Sequence, residues 1–369
     1  MKLHVYNLNI NNDFINEIYI SSMHVFLSGF IGQASCKYNI ELYGSIKMDR
    51  KVFYSKFMSY VRSKFFLIDI YNNRSKKSIL DKEKDLVVIF GYNPLMVMQL
   101  IILKIFGFKT ICYIFDTHQL NFYENKSKKY LIDIYYRVGL YLAKFLDIVV
   151  CVNSNFKKKY NKKFPNIIES KIGYSGENLE LEFIGRNVLK SNCLNILFGG
   201  TLNEDNGAHL MLDLVRKNFP FDINFIVYGY GNLSDKFEKE SEVNEHLEFI
   251  GRQPNLNIKY LIKYSDICIH LRDPKSVNKD IAFPSKLIEY FFNSKSTLSN
   301  DFPALNHTMK QAMLSVCDFS VEGLYKSLLY IEKERNILIE NREILDALKK
   351  VRYEHDWQNV FNEFYENIR

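Results

Sequence analysis

The chain has 369 residues, 47% hydrophobic and 25% charged, with 49 Lys and Arg against 42 Asp and Glu for a net charge of +7. Length and composition suit a folded, soluble protein of about two domains and exclude a disordered chain. The six cysteines stand singly, which argues against a zinc site or a disulfide framework and for small buried thiols in a reducing compartment. The charge is uneven: residues 1–170 hold 25 Lys and Arg against 13 Asp and Glu, and residues 171–369 hold 24 against 29. Such a split suggests that the first half faces an anionic partner.

In chain order, the first residues carry no long apolar run, so no signal peptide is expected. Ser21–Ser35, with Gly29 and Gly32 among Met23, Val25, Phe26 and Phe30, reads as a loop or as a buried helix. Lys64–Ile70, Asp85–Phe90, Thr110–Phe115 and Asp147–Val152 are short apolar runs, as buried parallel strands require. Helical spacing over Pro94–Phe106 and Lys129–Leu146 separates them, and the alternation predicts a parallel sheet covered on both faces. The longest apolar stretch, Leu95–Ile105, is far shorter than the ~20 residues of a membrane span. Lys157-Lys158-Lys159-Tyr-Asn-Lys162-Lys163 is the densest basic run and Arg74–Lys84 adds a second; either one alone is equally a solvated face. The polar, glycine-containing stretch 171–192 is the best linker.

A second alternation starts at Leu194. Ile196-Leu-Phe-Gly199-Gly200-Thr201 reads as a buried strand entering a glycine turn, with Gly207 before the apolar helix His209–Val215. Phe225-Ile-Val-Tyr-Gly229-Tyr-Gly231, Leu247-Glu-Phe-Ile-Gly251-Arg252 and Asp266-Ile-Cys-Ile-His270-Leu-Arg272 follow as further strand ends. Then comes Ile281-Ala-Phe283-Pro284-Ser285-Lys286-Leu-Ile-Glu289. Proline fixes the backbone before a helix, whose first N–H groups are unpaired and favour phosphate. Lys286 adds a cation and Glu289 a carboxylate able to accept from a ribose diol. Phosphate cradle, cation and diol acceptor within one turn describe a nucleotide-sugar site; an ordinary helix with a proline-marked start is the alternative. Tyr353–Ile368, holding the sole tryptophan Trp357, reads as one amphipathic helix.

Four ordered strand ends leading to the Pro-Ser-Lys…Glu helix resemble the C-terminal domain of the GT-B glycosyltransferases, and within them glycosyltransferase family four. The likeness is close over about residues 194–305 and loose elsewhere. It implies an α/β GT-B fold: two doubly wound Rossmann-like domains facing across a cleft. Residues 1–170 would form the acceptor domain, 171–192 the linker, 193–350 the nucleotide-sugar domain and 351–369 a helix crossing back to the first domain. Glu289 resembles the family's ribose-binding glutamate. The strand ends at Gly200, Thr201, Gly229, Gly231, Arg252 and Arg272, with Pro284 and Ser285, would hold the nucleotide diphosphate. Phe115-Asp116-Thr-His118 resembles the family's aspartate-x-histidine strand end, which makes Asp116 and His118 catalytic candidates beside Lys286. The Ser21–Ser35 segment lies where such enzymes admit acceptor.

Two departures stand out. The family's first glutamate would fall at Ile281, one residue from Asp280. Its arginine and lysine after the Gly-Gly turn are replaced by Thr201 and Asn206, which leaves Lys286 and then Arg272 as the cations for the diphosphate. For each of these charges a solvated surface position is the alternative, and for His118 a structural one.

The resemblance implies a retaining, metal-independent transferase that needs no cofactor beyond its nucleotide-diphosphate-sugar donor. The acceptor expected is a lipid-linked (polyprenyl diphosphate) glycan of bacterial surface polysaccharide, such as O-antigen, lipopolysaccharide or capsule. An anionic membrane surface would explain the charge split, and no nucleic-acid module is visible. The expected location is cytoplasmic, at the inner face of the membrane. Two other functions fit less well: a non-catalytic GT-B partner or scaffold of another transferase, supported by the missing glutamate and cations, and a nucleotide-sugar 2-epimerase.

Overall fold

The computed structural model describes residues 2–8, 30, 33, 39–44, 86–115, 126–174, 183, 185–275, 285–334 and 341–368. The expected strand Lys64–Ile70 and the residues Asp116, His118, Asp280, Ile281 and Pro284 lie outside them.

The described residues form two six-stranded sheets, parallel throughout. The first contains β1 (Lys2–Leu8), β2 (Asn39–Gly44), β3 (Leu86–Phe90), β4 (Lys109–Ile114), β5 (Ile148–Cys151) and β6 (Ile167–Glu169), in the order β2-β1-β3-β4-β5-β6. The second contains β7 (Leu194–Thr201), β8 (Ile223–Tyr230), β9 (Leu247–Phe249), β10 (Ile267–His270), β11 (Thr297–Ser299) and β12 (Leu314–Ser315), in the order β12-β11-β10-β7-β8-β9. The apolar runs at Asp85, Thr110 and Asp147 became strands within a residue or two of the expected bounds. All five residues of β3 are buried, as a strand covered on both faces must be.

Period-two alternation sends Leu86, Val88 and Phe90 to one face and Val87 and Ile89 to the other. The second face is covered by the helix Pro94–Ile105, whose start is set by Asn93 accepting from Leu95 N at 3.0 Å and by proline in the first turn. The first face is covered by the far end of the chain. Trp357, Val360, Phe361 and Phe364 are each 2% exposed and pack there with Phe30. Phe30 meets Phe90, Phe361 and Phe364 edge-on at 5.4–5.6 Å. The Ser21–Ser35 segment therefore contributes a core side chain at Phe30. Burying each such ring contributes about 1.5–3 kcal/mol.

The tail differs from the single helix expected over Tyr353–Ile368. Two helices, Arg342–His355 and Trp357–Ile368, meet at Asp356, whose backbone is extended and whose carboxylate accepts from Gln358 N at 2.9 Å. This break turns Trp357 onto Gly173, where an added Cβ would stand 2.3 Å from the indole. Tyr174 N donates to His355 O at 2.7 Å, and Arg352 Nε donates to Phe291 O at 2.7 Å. The 171–192 stretch is anchored at its described start, with Ile172 and Tyr174 buried. The Lys129–Leu146 helix runs instead over Lys126–Leu142 and tightens into a 3₁₀ turn at Ala143–Phe145.

Of the described cysteines, all free, Cys112, Cys151 and Cys268 are buried, while Cys317 is exposed, against the expectation of buried thiols. Burial pushes the Cys151 thiol up to about 12, so it stays protonated. Lys157, Lys158 and Lys159 are exposed on the short helix Ser154–Tyr160. None of the described helices is long and apolar enough to cross a membrane.

His355 sits 1% exposed at the joint, its Nδ1 2.6 Å from Ile172 O. Burial pushes its pKa down to about 4, outweighing that hydrogen bond. The unfolded chain protonates histidine near pH ~6.5, so it binds more protons than the folded state between the two values. Stability present above about pH 6.5 is therefore lost as pH falls toward about 4. Thermal unfolding of His355→Gln should show a shallower acid-side slope than the parent over that window; equal slopes would remove His355 from the joint's energetics.

Candidate functional site

In the second sheet β7 has β8 on one side and β10 on the other. Connections leave β7 and β10 in opposite directions, and such a switch point opens a crevice at the carboxyl ends of the strands. The glycine turn of β7, the end of β8 and the end of β10 all converge there.

Register explains the glycines. Gly199 pairs with Tyr228 and Gly200 with Gly229. A Cβ on Gly199 would lie 2.4 Å from the Tyr228 ring, so this glycine leaves the space the ring fills. Gly200 has φ +122 and Gly229 φ +125, values that side chains rarely adopt. A Cβ on Gly229 would stand 1.9 Å from Gly200 O, and one on Gly231 2.2 Å from Leu202 O.

Tyr228, 2% exposed, reaches across Gly199 to Lys286. Lys286 Nζ donates to the Tyr228 phenol at 2.7 Å and lies 4.5 Å from the ring centroid. The same Nζ would be 3.2 Å from a Cβ on Gly200, so the ammonium sits directly beside the glycine turn. Lys286 and Glu289 lie in the first turns of the helix Ser285–Asn293, and Leu287, Ile288, Tyr290 and Phe291 bury its other face. Burial works against the charge of Lys286, but Tyr228 and Glu289 outweigh it and hold the pKa above the usual lysine range. Burial raises the Glu289 pKa, with Lys286 and Lys259 pulling the other way. Ser285, the first residue of the helix, is half-buried.

Arg272 stands two residues beyond the end of β10. Its backbone N–H donates to Asn300 Oδ1 at 2.9 Å, and Asn300 Nδ2 donates back to Arg272 O at 2.8 Å. The guanidinium donates to Asn206 Oδ1 at 2.7 Å, and Asn206 in turn donates to Thr201 O at 2.8 Å. The loop after the Gly-Gly turn lacks a cation of its own, yet it is hydrogen-bonded to one just beyond β10. Arg252 is exposed and its guanidinium stacks 3.9 Å over the Tyr230 ring, beside Thr201 at the rim.

The structure thus gathers Gly200, Thr201, Gly229, Gly231, Arg272, Ser285, Lys286 and Glu289 at one crevice, with Arg252 at its rim. Asp116, His118 and Pro284 lie outside the described residues. Three contributors were not singled out from sequence: Tyr228, Asn300 and His270. His270 ends β10 half-buried, with Nδ1 3.3 Å from Ser299 Oγ. Burial first, then Arg272 and Lys286, pushes its pKa down to about 3, so it is a neutral hydrogen-bonding group here. Among the described residues no three acidic, histidine or cysteine side chains gather as a metal site.

No family model and no curated protein matches the chain. Solved structures do. Sucrose-phosphate synthase from Thermosynechococcus elongatus aligns over 99% of this chain and 97% of its own, with TM-score 0.66 at 10% identity. HepE of Anabaena, solved in complex with UDP, aligns over 99% of each chain, with TM-score 0.63 at 11% identity. The lipopolysaccharide outer core galactosyltransferase WaaB, in its apo form, aligns over 100% of this chain and 99% of its own, with TM-score 0.60 at 11% identity. At these identities the likeness speaks for the fold, and the fold is GT-B: two doubly wound parallel sheets facing across a cleft.

Proposed function

We propose that the chain is a glycosyltransferase of the family-four type, moving a sugar from a nucleoside-diphosphate donor to a lipid-linked glycan in surface polysaccharide synthesis. The observation that carries this is the Lys286 ammonium beside the Gly200–Gly229 turn, at the switch point of the second sheet. A departing diphosphate needs fixed positive charge and oriented N–H groups that require no rearrangement as charge develops. Lys286 and Arg272 supply the charge. The glycine turn would let backbone approach the phosphates, and the unpaired amides at the start of the Ser285–Asn293 helix are the donors proposed to meet them. Glu289, on the same helix, accepts from the ribose hydroxyls.

Asp116 and His118 are proposed to face the sugar and acceptor from the first domain, with Pro284 fixing the entry to the helix. The reaction is proposed to retain configuration through an oxocarbenium-like transition state and to need no metal. The UDP bound to HepE makes uridine diphosphate sugars the first donors to test, and the likeness to WaaB, a lipopolysaccharide outer core galactosyltransferase, supports the polysaccharide reading. The enzyme is proposed to work in the cytoplasm against the inner face of the membrane.

Thermal shift with a panel of nucleotide sugars tests the donor, since a ligand at 100 times its Kd adds about 2.7 kcal/mol of stability. Glu289→Ala should weaken the responding donor by about tenfold or more, the loss of a charge-assisted hydrogen bond. It should lower the unfolding temperature far less than donor affinity, because the half-buried carboxylate is itself disfavoured there while its loss leaves Lys286 less compensated. No response to any nucleotide sugar, or undiminished affinity in folded Glu289→Ala, would refute the assignment.

A further inference from the structure

The helix Lys126–Leu142 is built the wrong way round for a surface helix. Leu131, Ile134, Val138 and Tyr141, spaced along one stripe, are 67, 40, 44 and 60% exposed. A helix at a protein surface ordinarily turns such a stripe inward and its polar face to water. Here the inward positions are taken by Gly139, pressed against Tyr92 O, and by Tyr136, edge-on to Tyr92. The neighbouring helix Pro94–Ile105 adds its own outward residues, Ile102 at 39% and Ile105 at 77% exposed. Lys104 Nζ donates to Phe145 O at 3.0 Å and ties the two helix ends together. The result is one apolar patch spread over both helices, and exposed patches of this kind mark interaction sites.

Charge selects the occupant. Residues 94–109 and 126–145 carry seven Lys and Arg and one acid, Asp133, which is paired with Arg137 at 2.7 Å. Lys144 Nζ lies 3.7 Å from the Tyr141 ring centroid, a cation resting on an exposed aromatic. Outward aliphatics, tyrosines with a polar tip and an almost acid-free basic surround are the composition of a helix lying in an anionic lipid interface. A second copy of this chain meeting it face to face would need acids here, and Asp133, already paired with Arg137, is the one these segments hold. Neither helix is long and apolar enough to span, so the contact is one of surface seating.

Position supports the same occupant. Tyr135 Oη donates to Asn93 Oδ1 at 2.8 Å at the start of the neighbouring helix. The residues before Tyr135 therefore project about 13 Å beyond that start, on the side of the carboxyl edge of the first sheet. We infer that the outer face of the Lys126–Leu142 and Pro94–Ile105 helices is a membrane-docking surface that seats the enzyme on anionic lipid, presenting its first domain to acceptors held in the bilayer. The inference deepens the proposed lipid-linked acceptor and rests on that reading for its purpose.

The test is co-sedimentation of the full chain with vesicles of phosphatidylglycerol and phosphatidylcholine, and with phosphatidylcholine alone. Ile134→Glu/Val138→Glu is the apolar variant and Lys144→Ser the charge variant. The parent should bind the anionic vesicles, and the apolar variant should bind them about tenfold or more weaker. The charge variant should lose affinity mainly at low salt, as screening predicts. Thermal shift with nucleotide sugar, run on the same proteins without lipid, should be unchanged. No binding by the parent, equal binding by the apolar variant, or equal binding to both vesicle types would overturn the docking surface. So would a parent dimer that the apolar variant converts to monomer with no vesicle binding, since the patch would then join two copies of this chain. Vesicle binding without any nucleotide-sugar response would sink the proposed function and leave this surface standing.

Discussion

Lys286→Met should lower turnover by about two orders of magnitude while leaving the protein folded. The ammonium is beside the glycine turn, held by the Tyr228 phenol at 2.7 Å, so its position is fixed before any donor arrives. One of its three protons is used by Tyr228, which on the proposed function leaves the others for the oxygens of a diphosphate at the Gly200 turn. Hydrogen bonds to charged groups contribute about 1.5–3 kcal/mol, and each 1.36 kcal/mol of transition-state stabilisation is tenfold in rate. Charge grows on the diphosphate as the sugar departs, so the loss should fall more on kcat than on donor binding. Methionine keeps the unbranched stem packed, and the Tyr228 phenol loses a donor without gaining an unpaired charge. Arg272→Met is the comparison. Arg272 is committed to Asn206 Oδ1 and its backbone is clamped by Asn300, so it first shapes the loop after the Gly-Gly turn. Its loss should raise KM together with any fall in kcat. Steady-state kinetics decides the matter: near-normal turnover in Lys286→Met with a collapse in Arg272→Met would make Arg272 the principal cation.

Much of this arrangement was legible in the sequence because it is local. β3, β4 and β5 are short continuous apolar runs, the composition of a strand covered on both faces, and their length separates them from the longer apolar helix Pro94–Ile105. The glycine strand ends and the Pro-Ser-Lys helix start are equally local, since both follow from backbone restrictions. What escaped reading depends on register or on partners distant in sequence. Tyr228 reads as one more buried aromatic until its pairing opposite Gly199 is known. Asn206 reads as the loss of a cation until the bond from Arg272, 66 residues away, restores one. His270 is hidden within a strand whose end becomes part of the crevice only when β10 lies beside β7. One signal of the break is itself local: Asp356 directly before Trp357 is a helix-start residue, and it divides the tail where the chain turns beneath the first sheet. The Lys126–Leu142 helix shows the opposite limit. Its periodicity states that one face is apolar, but not that this face is turned outward.

Gly229→Ala should be the most damaging single-atom addition in the second domain. The new Cβ would sit 1.9 Å from Gly200 O and 2.9 Å from Gly200 N, both backbone atoms of the paired strand. No rotamer change can relieve that, so β7 and β8 must part at the site end or Gly229 must leave φ +125. The second route breaks its N–H bond to Gly251 O at 2.8 Å. Backbone strain of this kind costs about 1–3 kcal/mol and overpacking a similar amount. For a unit of 150–250 residues the sum corresponds to a midpoint lower by about 5–20 °C. Gly251→Ala separates the two contributions, since Gly251 has φ +59 with nothing within 4 Å of its added Cβ. It should cost only the left-handed backbone penalty, about 1–2 kcal/mol. Gly229→Ala should also displace Gly200 from Lys286 and weaken donor binding at temperatures where it remains folded. Calorimetry with nucleotide titration on the pair is the measurement. Equal melting losses in the two variants would mean the strands part at no cost, and the close approach at Gly200–Gly229 would then not hold the site's shape.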